Sequence, residues 1–212
     1  MTYKSKANKV QIQEIIKNLE KRGMKGYYCE NAREASEKLL SLIPDGALVS
    51  WGSSQTLDEI EVKDKLPLIN ARVLDPMSFK DPEEAYTARI NALSSDVFLT
   101  GTNAITLDGE LVNIDGSGNR VAGLCFGPRK VIVVVGANKI ARDEEAAMAR
   151  IKTVACVANC IRLDKKTPCA KTGKCTDCLI PGQTICSMTV VTRFCNKKDR
   201  IHVILVNESL GF

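Results

Sequence analysis

The chain has 212 residues, of which 44% are hydrophobic and 26% charged, with a formal net charge of +5 at pH 7. This composition is ordinary for a soluble globular protein and is sufficient for one domain with a substantial core. Uninterrupted apolar runs such as Val131–Val135 are too short to span a membrane, and no basic, aromatic-rich face indicates nucleic-acid binding. No secretory leader is recognised, so we expect a cytoplasmic protein that binds neither membrane nor nucleic acid.

Helix and strand patterns alternate along most of the chain. The predicted elements are a helix at 6–22, a strand at 26–30, a helix from Asn31, a strand at 47–51, a helix from about residue 54, a strand at 71–75, a helix from Asp81, strands at 96–101 and 131–136, and a helix at 141–162. Strands that alternate with helices predict an α/β fold, here an open, Rossmann-like and mostly parallel sheet flanked by helices. We expect residues 1–212 to form a single domain of this kind.

The segment between two of these strands mixes small polar residues with apolar ones. Residues 103–106 and 111–115 predict two short strands, because Asp108-Gly109 between apolar runs is a strong hairpin signal. A glycine-rich loop at 115–119 then leads into a short predicted helix at 120–127. Free backbone N–H groups at the start of a helix favour an anion.

A second loop, at 49–56, runs from a predicted strand through small residues into a helix. Both loops follow the carboxyl ends of strands, where open α/β sheets bind ligands, although each could be only a tight connection. Neither loop matches a Walker or dinucleotide motif, so ATP and NAD are not predicted. The residues predicted to bind a small anionic ligand are Gly52, Ser53, Ser54, Gln55, Thr56, Gly116, Ser117, Gly118, Asn119 and Arg120. Arg120 would donate a charge-assisted hydrogen bond to a carboxylate or phosphate.

Seven of the nine cysteines lie between residues 156 and 195. Cys169, Cys175, Cys178 and Cys186 follow the spacing C-x5-C-x2-C-x7-C within a loop at 165–187 that has few large apolar side chains. Such a loop cannot order itself by burial, so we expect these four thiols to bind a metal that orders it. A 4Fe–4S cluster tolerates the uneven spacing, whereas zinc ribbons usually carry two Cys-x2-Cys pairs. The predicted cofactor is therefore a 4Fe–4S cluster, with zinc, or free or oxidised thiols, as alternatives.

The remaining reactive side chains have simpler interpretations. Cys156 and Cys160 lie four residues apart on a predicted helix and are expected to be small buried core residues. Cys195 could replace one of the loop ligands. The single histidine, His202, lies in an apolar run and is interpreted as structural. No catalytic triad or carboxylate pair can be assembled, so no catalytic residue is predicted.

Four segments carry a resemblance to a known family: GSSQTLDEI at 52–60, TGTNAITLDGELVNIDGSGNRVAG at 100–123, GPRKVIVVVGANKI at 127–140 and IHVILVNESLGF at 201–212. They resemble the LUD domain family of LutC-type lactate utilisation proteins, which is similar to the NagB/RpiA/CoA-transferase-like superfamily. The resemblance implies that Gly101, Thr102 and Asn103 also bind the ligand. Asn103 stands where an Asp is common in the superfamily, and an Asn cannot abstract a proton at neutral pH.

The resemblance also implies a function. It suggests a subunit or accessory of an iron–sulfur-linked oxidation of lactate to pyruvate, with iron–sulfur oxidoreductase subunits as partners. Two alternatives stay open: a stand-alone isomerase, ligase or acyl or CoA transferase acting on a phosphorylated or CoA-linked substrate, and a non-catalytic sensor or scaffold in which metal only clips the loop. The sequence is compatible with a homo-oligomer.

Overall fold

The computed structural model describes residues 2–212. The helices are α1 (Tyr3–Lys21), α2 (Ala32–Ser41), α3 (Gln55–Glu59), α4 (Val62–Lys65), α5 (Pro82–Ala92), α6 (Asn119–Cys125), α7 (Glu144–Arg150), α8 (Cys156–Arg162) and α9 (Pro168–Thr172). The strands are β1 (Lys25–Cys29), β2 (Leu48–Trp51), β3 (Arg72–Leu74), β4 (Val97–Gly101), β5 (Ala104–Thr106), β6 (Leu111–Asp115), β7 (Lys130–Gly136), β8 (Ile140–Ala141), β9 (Met188–Thr192) and β10 (Ile201–Val206). A π-helical turn, Ile151–Ala155, joins α7 to α8.

A six-stranded parallel sheet in the order β1-β10-β7-β4-β2-β3 forms the centre of the fold. This confirms the predicted open α/β sheet and its strands near 47–51, 96–101 and 131–136. Strand β10 lies between β1 and β7, so a late segment of the chain supplies an interior strand of the sheet. Both β7 and β10 are apolar runs buried along nearly their whole length, because helices cover both faces of the sheet.

Hydrophobic cores lie on both faces of this sheet. Leu39 of α2 and Leu57 of α3 pack in the core that contains Ile132. Ile15 of α1 packs in the core that contains Val133. Ile132 and Val133 are neighbours in β7 and belong to opposite cores because successive side chains of a strand point to opposite faces. No helix in the described range 2–212 has the length and apolar character needed to cross a membrane.

A second, smaller sheet has the order β8-β5-β6-β9. Its antiparallel β5–β6 hairpin, with Ala104 paired to Val112, confirms the turn predicted at Asp108-Gly109. Strand β9 adds to the other edge of β6, where Ile114 pairs with Thr189. This pairing brings the cysteine-rich segment, which lies between α8 and β9, back alongside the glycine-rich loop that follows β6.

His202 lies near the amino end of β10, where it pairs with Lys25 and Ile132. Its ring stacks on Tyr27, whose hydroxyl lies 2.9 Å from Nδ1, while Nε2 lies 3.0 Å from the carbonyl oxygen of Asp199. Burial lowers the pKa of this imidazole. These contacts agree with the structural role that the sequence suggested for this residue.

Candidate functional site

A cleft of about 710 Å³ lies at the carboxyl ends of β2, β4 and β7. Its lining includes most of the residues predicted to bind a ligand: Ser53, Ser54, Gln55, Thr56, Gly101, Thr102, Asn103, Gly116, Ser117, Asn119 and Arg120. The two loops and the hairpin therefore share one cavity, which we call the cleft. Gly52 and Gly118 stand outside this lining. Gly52 packs on the Arg120 side chain, where a Cβ would lie 3.0 Å from Cγ, and Gly118 turns the chain into α6 with a φ of +83°.

The lining of the cleft is strongly basic. Its cations are Arg89, Arg120, Lys139, Arg162 and Lys165. Among the lining residues in the described part of the chain, Asp115 is the one acidic residue, and its Oδ2 lies 3.2 Å from Nε of Arg120. A concave surface lined by one sign of charge concentrates ligands of the opposite sign. The cleft is therefore suited to an anion.

Arg120 organises the cleft and is fully occupied by the protein. Its guanidinium donates to Gly101 O (3.3 Å), Asn113 Oδ1 (2.6 Å), Asn103 Oδ1 (3.1 Å), Ile114 O (2.8 Å) and Asp115 Oδ2 (3.2 Å). A guanidinium has five N–H donors, so none is left for a ligand. These contacts do not support the direct ligand bond suggested by the sequence and instead make Arg120 the group that ties the glycine-rich loop to the hairpin.

The carboxylate of Asp115 bonds the backbone of the glycine-rich loop. Oδ1 of Asp115 accepts hydrogen bonds from the backbone N–H groups of Gly118 (2.8 Å) and Ser117 (3.2 Å). An Asp side chain commonly bonds the backbone two or three residues onward in this way. The N–H groups of Ser117 and Gly118 are therefore used within the loop and are not available to an external anion. The side chains of Ser117 and Asn119 also line the cleft.

The hairpin offers donors that the protein leaves open. Oδ1 of Asn103 accepts from the Ile114 N–H and from Arg120, while its Nδ2 has no acceptor among residues 2–212. Within the same described range, the buried Nδ2 of Asn113 and Nε1 of Trp51 also lack partners. Asn103 and Trp51 both line the cleft. Nε1 of Trp51 is sealed from the open space, whereas Asn103 is half-buried, so its Nδ2 is the donor from which a ligand in the cleft can accept a hydrogen bond.

Lys139 is a cleft residue that we did not predict from the sequence. It lies in a short turn, Ala137–Lys139, directly after β7, and it is only 4% exposed. Its Nζ donates to Thr56 Oγ1 at 2.7 Å. Burial, together with the smaller effect of the charges of Arg150 and Arg120, lowers the pKa of Lys139 to about 7. The two loops were located by the rule that open α/β sheets bind ligands at the carboxyl ends of their strands. The same rule could have identified Lys139, because it directly follows a central strand.

A second cavity, of about 120 Å³, is lined by six thiols and is here called the thiol cavity. These are Cys156, Cys160, Cys169, Cys175, Cys178 and Cys186. The four predicted loop cysteines thus share one cavity with two from α8. Cys195 does not line it and instead packs in the core beneath α1, so its suggested role as a substitute ligand is wrong. Ile114, Thr184 and Ile185 line both the thiol cavity and the cleft, which are therefore neighbours.

The thiols differ in their electrostatic environment. Sγ of Cys156 lies 3.4 Å from Sγ of Cys186. This hydrogen bond lowers the pKa of Cys186 to about 7, helped by the nearby Lys152, and the same bond together with burial raises the pKa of Cys156. Burial also raises the pKa of Cys160 to about 11. Only one member of the close pair is therefore readily deprotonated.

The thiols share the cavity without converging on one point. In the described residues, 2–212, no group of three or more Cys, His, Asp or Glu side chains is placed to hold a single metal ion. The loop that carries four of them has polar attachments of its own. Nζ of Lys165 donates to Gly182 O at 3.0 Å, and the N–H of Lys166 donates to Oε1 of Gln183 at 2.8 Å.

The fold and these cavities define an α/β protein with a basic cleft at the carboxyl edge of a parallel sheet and a thiol cavity beside it. The LUD domain family model matches residues 12–206, and the chain belongs to this family. Membership of the family associates the protein with lactate utilisation. No curated protein matches the chain.

Comparison with solved structures supports the fold. The chain is similar to the crystal structure of a DUF162 family protein from Deinococcus radiodurans, with a TM-score of 0.53 and 13% identity over 94% of this chain and 98% of that one. It also matches part of eIF2B delta from Chaetomium thermophilum, with a TM-score of 0.34 and 19% identity over 54% of this chain and 49% of that one, a likeness too slight to bear on fold or function.

Proposed function

We propose that this LUD-domain protein binds a small organic anion in the cleft and acts as a subunit or accessory in an iron–sulfur-linked oxidation of a 2-hydroxy acid such as lactate. The observation that carries this proposal is the basic lining of the cleft, in which the one described acidic group is paired with Arg120. The other cations keep a net positive charge that a carboxylate ligand would neutralise.

Arg162 is the best-placed cation for direct ligand contact. It belongs to α8, is exposed, and reaches across the cleft so that Nη2 donates to Ser53 Oγ at 3.3 Å. Its other contacts are with Oδ1 of Asn159, its neighbour on the same helix. A ligand carboxylate can replace the long contact of Arg162 to Ser53 without disrupting the fold. Arg120 could bind a ligand only by giving up hydrogen bonds that hold the hairpin and the glycine-rich loop together.

Arg162→Ala is expected to weaken carboxylate binding about ten- to a hundredfold, since hydrogen bonds to charged groups contribute roughly 1.5–3 kcal/mol. Its free energy of unfolding should stay within about 0.5 kcal/mol of the wild type because the side chain is exposed. Calorimetric titration with lactate and with pyruvate measures the affinity. Arg33→Ala, an exposed change on α2 outside the cleft, is the matched control. Equal affinities in the two variants would count against this anion site.

We also propose that the thiol cavity holds the electron-carrying centre. Cys169, Cys175, Cys178 and Cys186 would supply its ligands, with Cys156 and Cys160 at the same cavity. An all-thiolate donor set suits either an iron–sulfur cluster or zinc. Four thiolates around one zinc must meet about 2.3 Å from a single point, whereas a 4Fe–4S cluster distributes them over four iron atoms. Thiols spread around a cavity fit the cluster better. When bound, the cluster supplies one-electron transfer.

Protein prepared without oxygen and supplied with iron and sulfide is expected to contain about four iron atoms and to show a broad visible absorption. Cys175→Ser should lose both iron and colour, while Cys125→Ser, an exposed cysteine outside the thiol cavity, should keep them. Iron, sulfide and zinc analysis of each protein is the measurement. One zinc per chain without colour would show that the cavity is a structural zinc site. Absence of both iron and zinc would refute a metal centre.

A second function is favoured by the size of the cleft. Its volume of about 710 Å³ is in the range of roughly 300–1,000 Å³ that holds drug-sized ligands, and it exceeds what lactate alone would fill. A stand-alone isomerase, ligase or transferase on a phosphorylated or CoA-linked substrate would use this space. Titrations with a sugar phosphate and an acyl-CoA, beside lactate, decide between the two. A metal-clipped scaffold would bind none of these ligands.

A further inference from the structure

Lys139 combines deep burial with a lack of counter-charge. Nζ has one hydrogen-bond partner among residues 2–212, Oγ1 of Thr56, and no carboxylate oxygen in that range comes within 4.0 Å of it. Glu59 acts on it only at longer range and uses Oε2 to accept the backbone N–H of Gly211. The charged groups around Lys139 are therefore Arg120 of α6, Arg150 next to the π-helical turn, and the more distant Glu59 of α3.

This arrangement favours the neutral amine. Desolvation penalises the ammonium form, and two neighbouring guanidinium groups repel it. A lysine that is neutral near physiological pH is a nucleophile towards carbonyl carbon, and both desolvation and an adjacent cation are known ways to activate one. As an electrostatic clamp for an anion, such an amine would be a poor choice. As a structural bridge, it would leave two of its N–H positions without partners.

We propose that Lys139 is a catalytic amine that forms an imine with the carbonyl carbon of a small 2-oxo acid held in the cleft. This inference rests on the proposed anion site. It identifies the substrate class of that site as 2-oxo acids, which are the oxidised forms of 2-hydroxy acids. The carboxylate of such a molecule meets the basic lining, and Asn103, whose Nδ2 has no acceptor among residues 2–212, lines the same space.

The step is balanced without an oxidant or a reductant. The nitrogen lone pair of Lys139 attacks the carbonyl carbon, and the carbonyl oxygen receives a proton from nitrogen to give a carbinolamine. The hydroxyl then leaves as water with the second nitrogen proton, and a C=N bond replaces the C=O bond. Addition of water reverses the sequence and releases the 2-oxo acid. Thr56 accepts one N–H of the amine in the resting protein and so orients the nitrogen.

The test is reductive trapping. The intact protein is incubated with pyruvate and cyanoborohydride, and its mass and labelled peptide are determined. We expect one adduct, heavier by pyruvic acid minus one oxygen atom, on the peptide that contains Lys139. Lys139→Arg should lose the adduct, while Lys80→Arg, which removes an exposed lysine outside the cleft, should keep it. The trapping rate should level off above pH of about 7, whereas an ordinary surface lysine would continue to gain reactivity towards pH 10.

Calorimetric titration with pyruvate in the same samples separates this proposal from the one on which it rests. Pyruvate binding without an adduct would overturn the imine and leave the anion site in place. Absence of binding would overturn both. An adduct distributed over surface lysines, or retained in the Lys139→Arg variant, would also refute the assignment. A thermal unfolding curve of each variant establishes that the compared proteins are folded.

Discussion

Arg120→Ala is expected to lower the free energy of unfolding by about 3–5 kcal/mol, the range for removing one partner of a buried ion pair. The side chains of Arg120 and Asp115 are 13% and 7% exposed, so the carboxylate would remain buried without its counter-charge. The oxygen atoms of Asn103 and Asn113 would lose their shared donor as well. Chemical denaturation monitored by circular dichroism measures the change.

Two variants make this prediction specific. Arg162→Ala removes another arginine of the same cleft and should leave the free energy of unfolding within about 0.5 kcal/mol of the wild type, because that side chain is exposed. Arg120→Lys keeps the charge but loses the planar fork, so it should give an intermediate loss. If Arg120→Ala proves as stable as Arg162→Ala, the organising role of this guanidinium is refuted.

Lys139→Met is expected to stabilise the protein at pH 6 by roughly 1–4 kcal/mol, the range seen when buried ion pairs are replaced by apolar side chains, because it removes a buried ammonium group without a counter-charge. The gain should shrink as the pH rises. Below pH of about 7 both folded and unfolded wild type carry the proton, and the fold bears the full cost of a buried charge. Between about 7 and the ordinary value of 10.5 the unfolded chain retains a proton that the folded one has lost, so wild-type stability rises with pH.

Denaturation curves at pH 6 and pH 10 test this expectation. Lys80→Met, an exposed change outside the cleft, is the control and should shift stability by less than about 0.5 kcal/mol at either pH. A Lys139→Met protein that is less stable than the wild type at pH 6 would show that the charge is favourably held. Such a result would also remove the electrostatic reason for a reactive amine, so it bears directly on the trapping experiment.

The sequence was sufficient for the main strands and for the location of the cleft. The apolar run at Val131–Val135 and the buried segment ending at Trp51 are local patterns. Such a strand can be recognised from its own residues, without knowledge of its neighbours in the fold. The Asp108-Gly109 turn is equally local. The cleft followed from a rule about strand ends, which needs only the positions of the strands.

The roles of individual side chains in the cleft were decided by tertiary structure. Whether Arg120 is available to a ligand depends on acceptors supplied by Asn103 and Asn113, which the β5–β6 hairpin places around it. Whether Lys139 carries a charge depends on its burial and on Arg150 and Arg120, which are separate from it in the sequence. Hydrogen-bond balance and desolvation are properties of a whole neighbourhood, so a residue type and its spacing cannot supply them.

The cysteines show the same division. The period of α8 placed Cys156 and Cys160 on a buried face, which is correct. Periodicity, however, reports only that a face is covered and not what covers it. The pairing of β9 with β6 returns the cysteine-rich loop over that face and makes two core cysteines neighbours of the four loop thiols. The sequence alone determined which residues could carry thiol chemistry, and the long-range strand pairing decided which of them share a cavity, because contacts between distant segments depend on how the whole chain packs.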